Sequence, residues 1–149
     1  MTPTSVTRDT LNSLIGTCRD GQKFFTAASE SVESPVLRAE LRQYAMQRED
    51  YVRELKDSVL ASGEDVDDSG SLGGAVQRGW LSVRQALSTN DRHAVLAECE
   101  RSEDAAVAAY RAARASAFEP DVAAMIETHY QAILRVHDRV KSLRDAVAD

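Results

Sequence analysis

Cysteine is scarce in this 149-residue chain, with only Cys18 and Cys99. Both fall on apolar faces of helical stretches, so they read as reduced core thiols in a cytosolic setting and not as a disulfide framework. No apolar run approaches the ~18 residues of a transmembrane helix, and the N-terminal MTPTSVTRDT lacks the apolar core of a signal peptide. No block of lysine and arginine stands out either. With 24 acidic against 18 basic residues the net charge is −6, which leaves no basic footprint for a phosphate backbone. The expectation is a soluble, cytoplasmic protein that binds neither nucleic acid nor membrane. Proline and glycine are also few, 3 and 7, and stand mostly at segment edges. Long stretches with helical rather than alternating periodicity remain between them.

What is present, then, is helix. A first helix is expected from Thr7 as N-cap, with Val6 and Leu11 as a hydrophobic staple. Its stripe is Leu11, Leu14, Ile15, Cys18, Gly21, Phe25, Ala28 and Val32, with Gln22 inside it. Ser34-Pro35 supplies a cap and a first-turn proline for a second, antiparallel helix, which Gly63 is placed to end in the left-handed conformation. An acidic loop, EDVDDSG, leads to a shorter segment around Trp80, in which Gly73, Gly74 and Gly79 each cost about 1 kcal/mol relative to alanine. That cost implies close packing against another element. Asn90 is expected to cap the next long helix, and Pro120 opens the last. The spans expected are about 8–32, 35–62, 72–88, 91–115 and 120–147, in one domain covering residues 1–149.

The connection between the second and third long helices sets the topology. Roughly 30 residues intervene where about 2–8 would join antiparallel neighbours. A connector helix of ~17 residues spans ~25 Å, and with the loop it carries the chain back along the bundle. The expected fold is all-α, a ferritin-like four-helix bundle with one long crossover containing an extra short helix.

Four polar residues interrupt the apolar stripes: Gln22, Arg48, Glu103 and His129. Their positions fall within about 7 Å of one another along the bundle at 1.5 Å per residue, so one buried polar layer can hold them all. A ferritin-like di-metal site takes a Glu from each of two helices and a Glu-x-x-His from each of the other two. Here the layer offers one carboxylate, one imidazole and a guanidinium that repels cations. The simpler account is an Arg48–Glu103 ion pair with Gln22 and His129 satisfying the remaining hydrogen bonds. If a metal binds, iron or manganese on Glu103 and His129 is the alternative; otherwise no cofactor is expected. Other candidates carry less. Asp65-Val66-Asp67-Asp68-Ser69-Gly70 resembles half of a calcium loop but places Val76 where the bidentate acid belongs. His137 stands on a flank and His93 in an exposed first turn, while Glu98 and Glu100 are expected to face solvent or a neighbouring helix, with the border of the polar layer as the alternative for Glu100.

The segments TCRDGQKFFTAA, QREDYVREL, GWLSVRQAL, ECERSEDAAVAAYRAA and HYQAILRVHDRVKSLRDA resemble, in this order, an uncharacterised bacterial four-helix-bundle family, a domain of unknown function in the ferritin-like superfamily. The resemblance runs from about Leu11 to Ala146. It implies the fold and no established activity. In the family pattern an acid follows the Asp-Gly pair where this chain has Gln22, which counts against bound iron. Gln47, Arg48, Glu100, Glu103 and His137 carry over as family features without a role. The function read from the sequence is a non-enzymatic, stress-related bundle protein with a degenerate metal site, acting as a homodimer or with a protein partner. The alternative is a metal-binding protein or oxidase using Glu103 and His129.

Overall fold

The structure is a computed structural model. It describes residues 5–63, 66 and 74–146, and of residues 5, 6 and 74–78 the backbone alone. Five helices follow one another: α1 (Ser5–Ser31), α2 (Pro35–Ala61), α3 (Gly74–Ser88), α4 (Arg92–Arg114) and α5 (Pro120–Ala146). No strand occurs among the described residues.

Helix boundaries follow from local chemistry. Ser34 Oγ accepts the Leu37 amide at 3.2 Å, and Pro35 occupies the first turn, where its missing N–H is no loss. At the other end of α2 Gly63 takes φ 84°, a conformation that costs glycine nothing, and its amide reaches the Leu60 carbonyl at 3.0 Å. Two expected caps are corrected. Thr7 lies inside α1, which begins at Ser5, since no helix breaker stands between Pro3 and Thr7 to stop the helix extending backward. Asn90 is not the cap of α4 either. It takes the left-handed turn after α3, φ 60°, which asparagine tolerates, and Asp91 accepts the Ala94 amide at 3.1 Å. A carboxylate there also suits the positive end of the helix dipole.

Two apolar clusters give the helix directions. One joins the C-terminal half of α1 (Phe24, Phe25, Ala28) with Leu41 of α2, Val83 of α3, Leu96 and Cys99 of α4, and Val140 of α5. The other joins the start of α1 (Leu11, Leu14, Cys18) with Leu55 of α2, Tyr110 of α4 and Ile126 of α5. Helices α1 and α5 therefore run one way and α2 and α4 the other. Helix α1 packs against both α2 and α4, and α4 against α5, while α2 and α4 stand at opposite corners. Helices α2 and α5 meet largely through side chains, with Arg139 Nε and Nη2 donating to Glu40 at 2.7 and 3.0 Å. Helix α3 lies against α1 and α4 at the first cluster. There Trp80, half-buried, meets the edge of Phe24 at 5.8 Å and lies under the Lys23 ammonium at 4.3 Å. No described helix is long and apolar enough to cross a membrane.

Candidate functional site

Midway between the clusters, Arg48 of α2 reaches across the bundle to Glu103 of α4. Its Nη1 donates to Oε2 at 2.6 Å and its Nη2 to Oε1 at 2.5 Å. Both side chains are 0% exposed. This is the bidentate fork that a guanidinium and a carboxylate form best. Burial opposes the arginine's charge, but Glu103's charge and hydrogen bonds outweigh it and hold the Arg48 pKa above its ordinary value. Nε donates at 3.3 Å to Gln47 Oε1, and the Phe25 ring lies 5.2 Å from the guanidinium carbon. Gly21 provides the room, since a Cβ there would stand 3.0 Å from Arg48 Nη1.

His129 is also buried, but it belongs to a different network. Its Nδ1 lies 2.9 Å from the Tyr110 hydroxyl and its Nε2 2.9 Å from Glu54 Oε2. The Tyr110 hydroxyl in turn lies 3.3 Å from Cys18 Sγ. Tyr51 stacks on the imidazole at 3.7 Å. Burial lowers the His129 pKa and Glu54 opposes that without reversing it. Burial pushes the Cys18 thiol up to about 11 and holds Tyr110 well above the usual phenol range.

The expectation that Gln22 and His129 complete the hydrogen bonding of the ion pair is corrected. Gln22 is half-buried, with its main-chain carbonyl accepting from Thr26 at 2.8 Å, and it does not join Arg48. His129 is drawn to Tyr110 and Glu54 because their oxygens occupy both ring nitrogens. Glu98 and Glu100, expected to face solvent or a neighbouring helix, are both buried, Glu100 against α5. Arg101 donates to Glu98 at 2.6 Å, and Arg144 forms an ion pair with Glu100. His137 Nε2 lies 2.5 Å from Asp104 and Nδ1 3.3 Å from Asp138. Burial opposes its charge, but the two aspartates outweigh burial and raise its pKa. Ligand atoms of Glu100, Asp104 and His137 lie within 4.8 Å of one another, and Arg144 already brings a positive charge to Glu100 there. Cys99 packs in the other apolar cluster from Cys18, and His93 is exposed. The calcium-like loop lies outside the described residues except for Val66, which packs against the second cluster. Sequence reasoning missed Glu54, Asp104 and Arg144. The only signal was their spacing, one position off each apolar stripe.

The model of a family described as a domain of unknown function, DUF2383, matches residues 6–116. The chain belongs to the DUF2383 family. A comparison with curated proteins gives no match. The region matched to DUF2383 runs from α1 through the end of α4, so it holds Arg48, Glu103, Tyr110, Cys18 and Glu54, whereas His129 comes from α5 beyond it.

The centre of this DUF2383 chain does not fit a pair of divalent metals. Such a pair requires several anionic oxygens with lone pairs free. Both Glu103 oxygens are taken by a guanidinium, both His129 nitrogens are committed elsewhere, and the charge of Arg48 opposes a cation at short range.

Proposed function

We propose that this DUF2383 chain is a ferritin-like four-helix-bundle protein whose centre is a structural ion pair instead of a di-iron site. Helix α3 is the extra helix of a long crossover joining α2 to α4, and the protein acts non-enzymatically, by association with a second copy or a protein partner in the bacterial cytoplasm. The parallel course of α2 and α4 supports the ferritin-like reading. The observation that carries the functional reading is the bidentate Arg48–Glu103 pair at 0% exposure. It puts a fixed cation where a metal centre would need anionic ligands. Exposed Val36, Met46 and Leu60 on α2 supply apolar surface for association.

Elemental analysis after aerobic and anaerobic loading with iron and with manganese tests the reading. Metal should not be retained at the centre. Stoichiometric metal in the wild type that Glu103→Gln abolishes would overturn it. Sedimentation equilibrium tests association: a dimer is expected, and Met46→Glu should weaken it. A monomer at every concentration would remove self-association.

A further inference from the structure

Four side chains that can accept or donate a proton follow one another by hydrogen bonds from the surface into the core. Glu54 stands at the surface, its side chain 53% exposed, 2.9 Å from His129 Nε2. The other ring nitrogen lies 2.9 Å from the Tyr110 hydroxyl, which lies 3.3 Å from Cys18 Sγ. His129, Tyr110 and Cys18 are buried. The chemistry at the two ends orients every proton. A carboxylate only accepts, so Nε2 carries the imidazole proton toward Glu54. With burial favouring the neutral ring, Nδ1 is free to accept from the Tyr110 O–H. That leaves the Cys18 S–H, kept as a thiol by burial, to donate to the phenol oxygen.

A phenol that loses an electron becomes a strong acid, so it oxidises readily only where a base can take its proton. Tyr110 has that base at hydrogen-bond distance, with a carboxylate behind it to hold the resulting imidazolium, and a hydrogen-atom donor on its other side. We propose that Tyr110 is a one-electron redox centre, with His129 and Glu54 as its proton acceptor chain and Cys18 as its hydrogen-atom donor. An outer-sphere one-electron oxidant takes one electron from the phenol. The O–H bond breaks, an Nδ1–H bond forms on His129, and the oxidant is reduced by one electron. Cys18 then transfers the hydrogen atom of its S–H bond to the phenoxyl oxygen, restoring the O–H bond and leaving a thiyl radical. A one-electron reductant such as ascorbate reverses the sequence, as the electron goes to the sulfur and the proton on His129 returns through Tyr110.

The test is stopped-flow oxidation of the full chain by hexachloroiridate(IV), with electron paramagnetic resonance on freeze-quenched samples. The wild type should give a phenoxyl signal that Tyr110→Phe removes and Cys18→Ala prolongs. Glu54 is on the surface, so Glu54→Gln leaves the fold intact; it should slow oxidation by about tenfold or more, and D2O should slow the wild type. A signal retained in Tyr110→Phe would overturn the proposal, because it would place the radical on Tyr44, Tyr51, Tyr130 or Trp80. A rate indifferent to both Glu54→Gln and D2O would also overturn it, and this arm stands even if Tyr110→Phe fails to fold.

Discussion

Arg48 occupies a place in α2 where Leu41, Ala45, Val52, Leu55 and Val59 hold the rest of the buried face. A charge set within an apolar stripe must either find its opposite or remain an orphan in the core, and Glu103 on α4 has the same property. Each was legible from its own helix, and their pairing followed because no other inward charges stood at that height. His129 was legible as buried but not as to its partners: Glu54 is exposed, and a place one position off the apolar stripe does not set it apart from the other polar residues there. Asp20 carries a prediction that belongs to one residue. Burial raises its carboxyl from 3.8 to about 6, with Lys23 partly opposing. The folded state therefore binds this proton more tightly than the unfolded chain, so the contribution to folding is fully present below about 3.8 and is lost as pH rises from there through about 6. Asp20→Asn should raise the melting temperature at neutral pH, with the gain disappearing as pH falls toward 3.8. Equal melting temperatures at neutral pH would show that the carboxylate is well solvated when charged.

Among the helices, two glycines make a contrast that sequence alone could not. Alanine at Gly21 would bring a Cβ to 3.0 Å from Arg48 Nη1, an atom fixed by its bond to Glu103. At Gly79 the nearest atom, at 2.9 Å, is Glu98 Oε2, the far end of a side chain that can turn aside. Gly21→Ala should cost about 1–3 kcal/mol through forced rearrangement, whereas Gly79→Ala should be neutral or stabilise by up to about 1 kcal/mol through helix propensity. Urea unfolding of both variants checks the order, and a reversed order would mean that Arg48 adjusts freely. Asp91→Ala should cost about 1 kcal/mol as a lost cap, with Asn90→Ala disfavoured for a different reason, its positive φ. The existence and extent of the helices were legible because long periodic stretches with few breakers leave little choice. Their first residues were not, since Thr7 and Asn90 satisfy the same capping preferences as the positions beside them.

For the molecule as a whole, the parallel course of α2 and α4 was legible by length, because the stretch between them is too long for a hairpin turn and long enough to return along the bundle. The sequence could not show that these two helices occupy opposite corners, so that the Arg48–Glu103 pair ties across the bundle centre and not between neighbours. An ion pair so placed couples the two halves of the structure, α1 with α2 and α4 with α5. It adds little net stability, yet breaking it leaves a buried charge alone at about 3–5 kcal/mol. The most direct measurement is a double-mutant cycle by urea unfolding with Arg48→Met, Glu103→Leu and the double variant. Each single substitution should lose about 3–5 kcal/mol, while the double variant, with neither charge left to orphan, should return close to the wild type. Single variants as stable as the wild type, or losses that simply add in the double variant, would contradict a bundle centred on this pair.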